Sequence, residues 1–281
     1  MSDKTIPVET SFAANRSLWE AWTTVHAEGD FYDLAGFRDG GVRLRPYEIE
    51  MVGDVAGKSL LHLQCHFGMD TIRWARHGAT VTGVDFSAEA IAAARALAAR
   101  MVVPARFVHS DLYELPGVLE GRFDVVFTSH GVLGWLPDLD GWARVIAHYL
   151  VPGGTFFMVE AHPVLMCFDD RASEPALRLL YPYFHGAGPI REERAGCYSD
   201  PDAAITSVEH VWLHPLSAIL GALLRAGLRI EAFDEYPFVA WRFFPWMEQG
   251  ADGWWRLPAD RRLPQGPGSL PLMFSLKSTL P

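Results

Sequence analysis

Polar residues that could bind a small molecule follow two apolar runs of the sequence. The run Ser59–Leu63 predicts a buried strand, and a turn with Gly68 leads from it into a predicted helix, Met69–Arg76. Asp85 ends a second apolar run, 17 residues after Gly68. In parallel sheets, ligands bind outside the carboxyl ends of the strands, where a carboxylate can accept hydrogen bonds from both ribose hydroxyls. These segments therefore predict a site for a cofactor that contains a nucleoside.

Strands and helices alternate in the segments that must position this site. Ser87 is predicted to cap an alanine-rich helix that runs to about Arg100. Further strands are predicted at 105–109, 123–128 and 154–160, and a further helix at 139–149. This alternation predicts an α/β fold with a Rossmann-like, mostly parallel sheet and helices on both faces.

The regular alternation stops at residue 161, which divides the chain into parts. Residues 161–205 are rich in proline, glycine, aromatic and charged residues, and they are too many for an ordinary connection. A strand at 206–214 is then expected to resume the sheet. The predicted parts are an N-terminal helical cover (1–57), a cofactor-binding core (58–160), an inserted cap (161–205) and a C-terminal completion of the sheet (206–281) with an aromatic loop (237–267).

Composition limits the classes of partner and the location. The net charge of -10 disfavours nucleic acid, whose binding depends on clustered Lys and Arg. Apolar runs are shorter than the roughly 20 residues that cross a bilayer, and the N-terminus lacks the pattern of a secretory signal. We therefore expect a cytoplasmic protein that binds neither membranes nor nucleic acid. The three cysteines, Cys65, Cys167 and Cys197, are expected to be reduced and buried.

Histidine pairs in the sequence do not predict a metal site. On a strand, His210 and His214 would lie about 13 Å apart, which is too far to share one ion. His62 and His66 have no evident third ligand nearby in the sequence. We expect no bound metal.

Five segments, in this order, resemble class I S-adenosylmethionine-dependent methyltransferases of the small-molecule type. They are the turn at 61–68, VTGVDFS at 81–87, HSDLYELP at 109–116, FDVVFTSHGVLGWLPD at 123–138 and YLVPGGTFFMVE at 149–160. The turn resembles a subgroup with an LQCHFGxDT motif, in which Gln64 and His66 replace two glycines and His62 replaces an acidic residue. The resemblance implies an antiparallel last strand, S-adenosylmethionine as methyl donor and S-adenosylhomocysteine as product.

The resemblance also implies roles for residues of the donor site. Asp85 corresponds to the ribose-binding acid, Phe86 would pack on the adenine, Asp111 would read its amino group, and Leu112 would donate a backbone N–H. The N-terminal residues Trp22 and His26 could close over the donor. The predicted donor site is Trp22, His26, Gln64, Cys65, Gly68, Asp85, Phe86, Ser87, Ser110, Asp111, Leu112, Ser129, His130 and Gly131.

Methyl transfer is an in-line displacement, so the enzyme must mainly align donor and acceptor and exclude water. A general base helps when the acceptor must lose a proton. His130 follows the fourth strand and is the first candidate, and Glu160 and His162 end the fifth. The alternative is that these side chains only satisfy the ends of strands.

Aromatic residues in the cap and in the late loop predict a lid over the acceptor. The predicted acceptor site is Tyr183, His185, Trp212, His214 and Trp241. The alternative is that they only anchor irregular segments. The sequence thus predicts methyl transfer to a nitrogen or oxygen of a small molecule, and it leaves the acceptor and the oligomeric state open. One alternative is a non-catalytic module that binds the donor. Another is a nicotinamide-dependent oxidoreductase, which matches less well because the turn has only one of the three glycines of a GxGxxG motif.

Overall fold

The computed structural model describes residues 7–29, 31–38, 44–184, 186, 188–200, 202–260, 263 and 268–281. The helices are α1 (Val8–Glu28), α2 (Leu34–Arg38), α3 (Pro46–Val52), α4 (Met69–Arg76), α5 (Ala88–Arg100), α6 (Leu139–Tyr149) and α7 (Leu216–Arg225). The strands are β1 (Ser59–Leu63), β2 (Thr80–Asp85), β3 (Arg106–His109), β4 (Phe123–Thr128), β5 (Leu150–Ala161), β6 (Ile190–Ala195), β7 (Thr206–Val211), β8 (Arg229–Tyr236), β9 (Glu248–Gln249), β10 (Trp255–Arg256) and β11 (Met273–Thr279).

Seven strands of the described chain form one sheet in the order β3–β2–β1–β4–β5–β11–β8. The pairs from β3 to β5 are parallel, and β11 lies antiparallel to both β5 and β8. The predicted Rossmann-like α/β fold with an antiparallel last strand is therefore confirmed. The strand order reverses at β1, which pairs with both β2 and β4, and this is the position where such sheets bind ligands.

Alternating side chains of β1 build the two layers of the core. Leu60 lies in a buried cluster with Trp74 of α4, whereas Leu61 and Leu63 lie in the cluster on the other face with Trp142 of α6. Successive strand residues point to opposite faces, so both faces of β1 must be apolar when helices cover both. This layering holds the carboxyl ends of the strands in a fixed arrangement.

The predicted return of the chain to the main sheet at residue 206 is wrong. β7 pairs antiparallel with β6 in a separate two-stranded sheet, and the chain rejoins the main sheet only at β8. The predicted boundary between residues 205 and 206 thus falls inside a hairpin. Alternation in β7 indicated a strand but carried no information about its partner, because pairing depends on contacts distant in the sequence.

α1 connects this hairpin to the core. The side chain of Asn15 accepts a hydrogen bond from the N–H of His210 at 2.9 Å and donates one to its carbonyl at 2.8 Å. The carboxylate of Glu20 accepts hydrogen bonds from the N–H groups of Ala88 and Glu89 at the start of α5. Within the described ranges, none of the helices combines the length and apolarity needed to span a bilayer.

Candidate active site

The carboxyl ends of β1, β2, β3 and β4 open into a cavity of about 1300 Å³. Most of the predicted donor and acceptor residues line it: Trp22, Gln64, Cys65, Gly68, Asp85, Phe86, Ser110, Asp111, Leu112, Ser129, His130, Gly131, Tyr183, Trp212, His214 and Trp241. The predicted residue His185 lies outside the described residues. Segments far apart in the sequence therefore meet at one edge of the sheet.

The turn after β1 contains few glycines, although its backbone is left-handed at three positions. Gln64 and His66 have φ values of 56° and 51°, in the left-handed region that non-glycine residues rarely adopt. Gly68 has a φ of 79°, and a Cβ built there would lie 2.6 Å from the ring of Phe107. Glycine is thus sterically required at Gly68, while strain of order 1 kcal/mol or more is tolerated at each of the other two positions.

Asp85 is held at the end of β2 by backbone donors. Its Oδ2 accepts a hydrogen bond from the N–H of His66 at 2.8 Å, and its Oδ1 accepts one from the N–H of Ser87 at 2.9 Å. Burial raises the pKa of Asp85 to about 6, and these two backbone donors oppose the rise. A carboxylate has about four acceptor positions, so two remain for donors from a ligand in the cavity.

A second carboxyl group follows β3. Oδ1 of Asp111 accepts a hydrogen bond from the N–H of Tyr113 at 2.8 Å, and burial raises the pKa of Asp111. Phe86 lies in the same part of the cavity, with its ring 6.4 Å from that of Phe12 in α1. This region offers a carboxylate and an aromatic face to a ligand that also reaches Asp85.

His62 stands at the end of β1, where the resemblance leads one to expect an acid. Its Nδ1 lies 2.8 Å from Oγ1 of Thr71, and its Nε2 lies 3.1 Å from Oγ of Ser129. Burial lowers the pKa of His62 to about 4, so the imidazole is neutral at pH 7. It links α4 to the loop that follows β4 and carries no charge into the site.

Glu160 fixes the loop that follows β4. Its carboxylate accepts hydrogen bonds from the N–H groups of Gly131, Val132, Leu133 and Ala161 at 2.7–2.9 Å. Four donors occupy the lone pairs that a catalytic carboxylate would need. The geometry therefore makes Glu160 an anchor for the loop rather than a group that can take a proton.

His130 projects from this loop into the cavity. Its Nε2 lies 2.9 Å from the hydroxyl of Tyr47, and its ring centroid lies 6.5 Å from that of Trp241. Burial lowers the pKa of His130 to about 4, which leaves the ring neutral at pH 7. Tyr47 was missed by the sequence prediction because nothing in the short helix α3 indicates that it reaches the end of β4.

Three predicted residues, His26, Ser87 and His162, do not line the cavity that the described residues form. His26 contacts His66, with 3.2 Å between ring nitrogens, and Oγ of Ser87 accepts a hydrogen bond from Ala90 as the N-cap of α5. His162 is buried, and its Nε2 lies 3.0 Å from Oε1 of Glu235. His26 and Ser87 thus contact the cavity-lining residues His66 and Asp85, whereas the partner of His162, Glu235, does not line the cavity.

The hairpin and cap side chains divide in a similar way. His214 lines the cavity, with Nε2 2.7 Å from the carbonyl oxygen of Leu136. Tyr183 lines it too, and its hydroxyl accepts a hydrogen bond from the N–H of Leu216 at the start of α7. His210 instead faces α1, with Nδ1 3.1 Å from Oγ of Ser11. No cluster of potential metal ligands is present among the described residues.

Comparisons with known proteins agree with this architecture. Residues 60–154 match a family described as a methyltransferase domain. A ubiquinone biosynthesis O-methyltransferase from Cronobacter sakazakii is 35% identical over 146 residues, which are 52% of this chain and 56% of that enzyme. The chain thus spans about half the length of the curated relatives it matches.

Solved structures share the fold at lower identity. A putative S-adenosylmethionine-dependent methyltransferase from Listeria monocytogenes is 18% identical, with a TM-score of 0.55 over 83% of this chain and 95% of that one. A glycopeptide N-methyltransferase in complex with S-adenosylmethionine is 19% identical, with a TM-score of 0.51 over 83% of this chain and 91% of that one. Residues 60–154 therefore match a methyltransferase domain, and the chain shares the fold of these S-adenosylmethionine-dependent methyltransferases.

Proposed function

We propose that the protein transfers a methyl group from S-adenosylmethionine to a nitrogen or oxygen atom of a small molecule. The supporting observation is that one cavity is lined both by Asp85, at the end of β2, and by His130, near the end of β4. Its volume of about 1300 Å³ exceeds the roughly 300–1,000 Å³ typical of sites for one ligand. Such a volume suits a donor and an acceptor held together.

The residues at the sheet edge fit this donor. Asp85 is proposed to accept hydrogen bonds from the ribose hydroxyls, Asp111 to accept one from the adenine amino group, and Phe86 to pack on the adenine. Oε1 of Gln64 is buried and has no hydrogen-bond partner among the described residues. It is therefore proposed to accept a hydrogen bond from the ammonium group of S-adenosylmethionine. S-adenosylmethionine supplies an electrophilic methyl group on a sulfonium sulfur. Carboxylates and a free amide oxygen suit a cationic ligand.

His130 is the proposed general base. In the tautomer that donates Nε2–H to the oxygen of Tyr47, Nδ1 is free to accept a proton from the acceptor. A neutral imidazole is required for this, and the lowered pKa of His130 provides it at pH 7. Glu160 is proposed to position His130 through the loop it anchors. His162 has no proposed part in the chemistry.

The surrounding segments are proposed to cover the two ligands. Phe12, Trp19 and Trp22 of α1 line the cavity, which supports residues 1–57 as a cover for the donor. Tyr183 of the cap and Trp241 of the loop 237–267 support these segments as a cover for the acceptor. We also propose that the protein is cytoplasmic and does not act on nucleic acid, since its net charge is -10.

Calorimetry and a methyl-transfer screen test this proposal. The purified chain is titrated with S-adenosylhomocysteine and with a nicotinamide dinucleotide, and it is then incubated with methyl-labelled donor and a panel of phenols, amines and carboxylic acids. We expect S-adenosylhomocysteine to bind and the dinucleotide not to bind. We also expect the labelled methyl group to be transferred to at least one class of acceptor in the panel. Donor binding without transfer to any acceptor would instead support a non-catalytic module. Binding of the dinucleotide alone would support an oxidoreductase.

A further inference from the structure

Charged side chains are distributed unevenly along the cavity wall. Among the described residues, five arginines line it: Arg45, Arg73, Arg171, Arg194 and Arg242. Three of the five have acidic partners: Arg73 pairs with Asp70, Arg171 with Glu192 at 2.5 Å, and Arg194 with Asp170 at 3.0 Å. For Arg45 and Arg242, no acidic group of the described chain lies within ion-pair distance. Arg242 is exposed, so among the described residues that line the cavity Arg45 is the half-buried arginine without an acidic partner.

The guanidinium of Arg45 is held in place by an aromatic ring rather than by an acid. It lies over Trp254, with 4.4 Å from its central carbon to the ring centroid. An arginine stacked in this way keeps its N–H donors in the plane of the group and free for a planar anion. A partly buried cation without a counter-ion is unfavourable, so the arrangement indicates that a ligand supplies the negative charge.

Glu48 is the acidic residue closest to Arg45 in the sequence, but it has another partner. Its Oε2 accepts a hydrogen bond from the backbone N–H of Arg45 at 2.7 Å, which caps α3. Glu48 is buried, and burial together with the charge of Asp70 raises its pKa to about 8. At neutral pH it therefore stays mostly protonated and does not neutralise the guanidinium.

Aromatic contacts connect Arg45 to the proposed general base. The ring of Tyr47 lies 5.6 Å from that of Trp254, on which Arg45 stacks, and the hydroxyl of Tyr47 lies 2.9 Å from Nε2 of His130. The ring of Trp241 lies 6.5 Å from that of His130 and presents an aromatic wall to the cavity. An anion-binding group, an aromatic wall and a proton acceptor thus lie in one part of the cavity.

We propose that the methyl acceptor is an aromatic carboxylic acid whose carboxylate binds Arg45 and whose hydroxyl or amino group faces His130. This inference rests on the proposed function and names the substrate class. A singly charged carboxylate fits better than a phosphate dianion because one unpaired, half-buried arginine faces a part of the cavity that the acidic residue Asp70 also lines. Arginine and carboxylate form the planar, two-point contact that this geometry favours.

The test compares acids with their neutral amides on protein saturated with S-adenosylhomocysteine. Calorimetry measures 6-hydroxy-2-naphthoate against 6-hydroxy-2-naphthamide, and benzoate, 3-aminobenzoate and indole-3-acetate against their amides. A charge-assisted hydrogen bond contributes about 1.5–3 kcal/mol, so we expect at least one acid to bind about tenfold or more tighter than its amide. Arg45→Met should abolish this preference and leave affinity for the amide and for S-adenosylhomocysteine unchanged.

Arg256→Met is the matched control, because Arg256 stacks on Phe238 in the same region but pairs with Asp252. Arg256→Met should keep the full preference for the acid over its amide. Arg45→Lys should keep part of this preference, because it keeps the positive charge. The inference would be overturned if every acid bound with the same affinity as its amide, or if no acid bound. It would also be overturned if Arg45→Met weakened acid binding and amide binding equally. Failure to bind S-adenosylhomocysteine at all would instead refute the proposed function, so the two failures are distinguishable.

Discussion

The two ends of the cavity are built by different means. At the proposed donor end, Asp85 is held by backbone N–H groups that follow β1 and β2 directly. At the proposed acceptor end, contacts run between side chains, from Arg45 through Trp254 and Tyr47 to His130. The first end depends on local backbone geometry, which different sequences can share. The second depends on packing between distant segments, which is where substrate preference can vary.

The largest expected effect is at the donor end. Asp85→Ala removes the charged acceptor of two proposed hydrogen bonds from the ribose hydroxyls. Each such bond contributes about 1.5–3 kcal/mol, so affinity for S-adenosylhomocysteine should fall more than about 100-fold in calorimetry. Asp124→Asn is the control, because that carboxylate bonds Ser59 at the opposite end of the sheet. Unchanged affinity in the Asp85 variant would remove the distinction between the two ends.

The next effect separates binding from turnover at the acceptor end. His130→Gln should lower kcat about 100-fold, as expected for loss of a general base, while affinity for S-adenosylhomocysteine changes little. Because the pKa of His130 is about 4, kcat at saturating donor should show no loss near pH 6.5. Exposed His148 provides the control variant His148→Gln. Equal losses of affinity and kcat would place His130 at the donor end instead.

A smaller effect tests which positions of the turn after β1 require glycine. Gly68→Ala combines a positive φ with a contact to the Phe107 ring, and it should cost about 2 kcal/mol of unfolding free energy. His66→Gly should cost less, because relief of backbone strain offsets part of the cost of losing the contact of the His66 ring with His26 and of giving the unfolded chain more freedom. Denaturant titration measures the unfolding free energy of both variants. A larger loss in His66→Gly than in Gly68→Ala would contradict the backbone conformations assigned to this turn.

The smallest expected effect concerns Glu48 at the acceptor end. Its pKa is raised to about 8 in the folded state, so between about pH 4.5 and 8 the folded protein holds a proton that the unfolded chain has lost. This contribution to stability is complete below about pH 4.5 and is lost as pH rises to 8. Glu48→Gln removes the penalty of ionising this buried group, so it should raise Tm by at least about 3 °C at pH 8 and by much less at pH 5. The control Glu50→Gln, at an exposed position, should leave Tm unchanged at both pH values. An equal rise in Tm at pH 5 and pH 8 in Glu48→Gln would contradict the raised pKa of Glu48.

The sequence located the residues at the proposed donor end better than those at the proposed acceptor end, for a physical reason. Asp85, Gly68 and the cap at Ser87 lie at the ends of regular elements, and periodicity locates those ends. Arg45 is the N-cap of the short helix α3 and Tyr47 lies on it. Both contact Trp254, which is more than 200 residues away in the sequence, and no local pattern encodes that contact. The pairing of β6 with β7 was missed for the same reason.

The contacts made by α1 have a consequence for the rate at which ligands exchange. Asn15 and Glu20 are five residues apart on one helix, so the rise of the helix separates them by only about 7.5 Å along its axis. One binds the hairpin strand β7, and the other binds the start of α5 beside Asp85. Over so short a stretch of helix, movement of one attachment displaces the other. Opening through α1 is therefore expected to loosen the hairpin and uncover the proposed donor end together, which would couple release of the used donor to the motion that frees the proposed acceptor side.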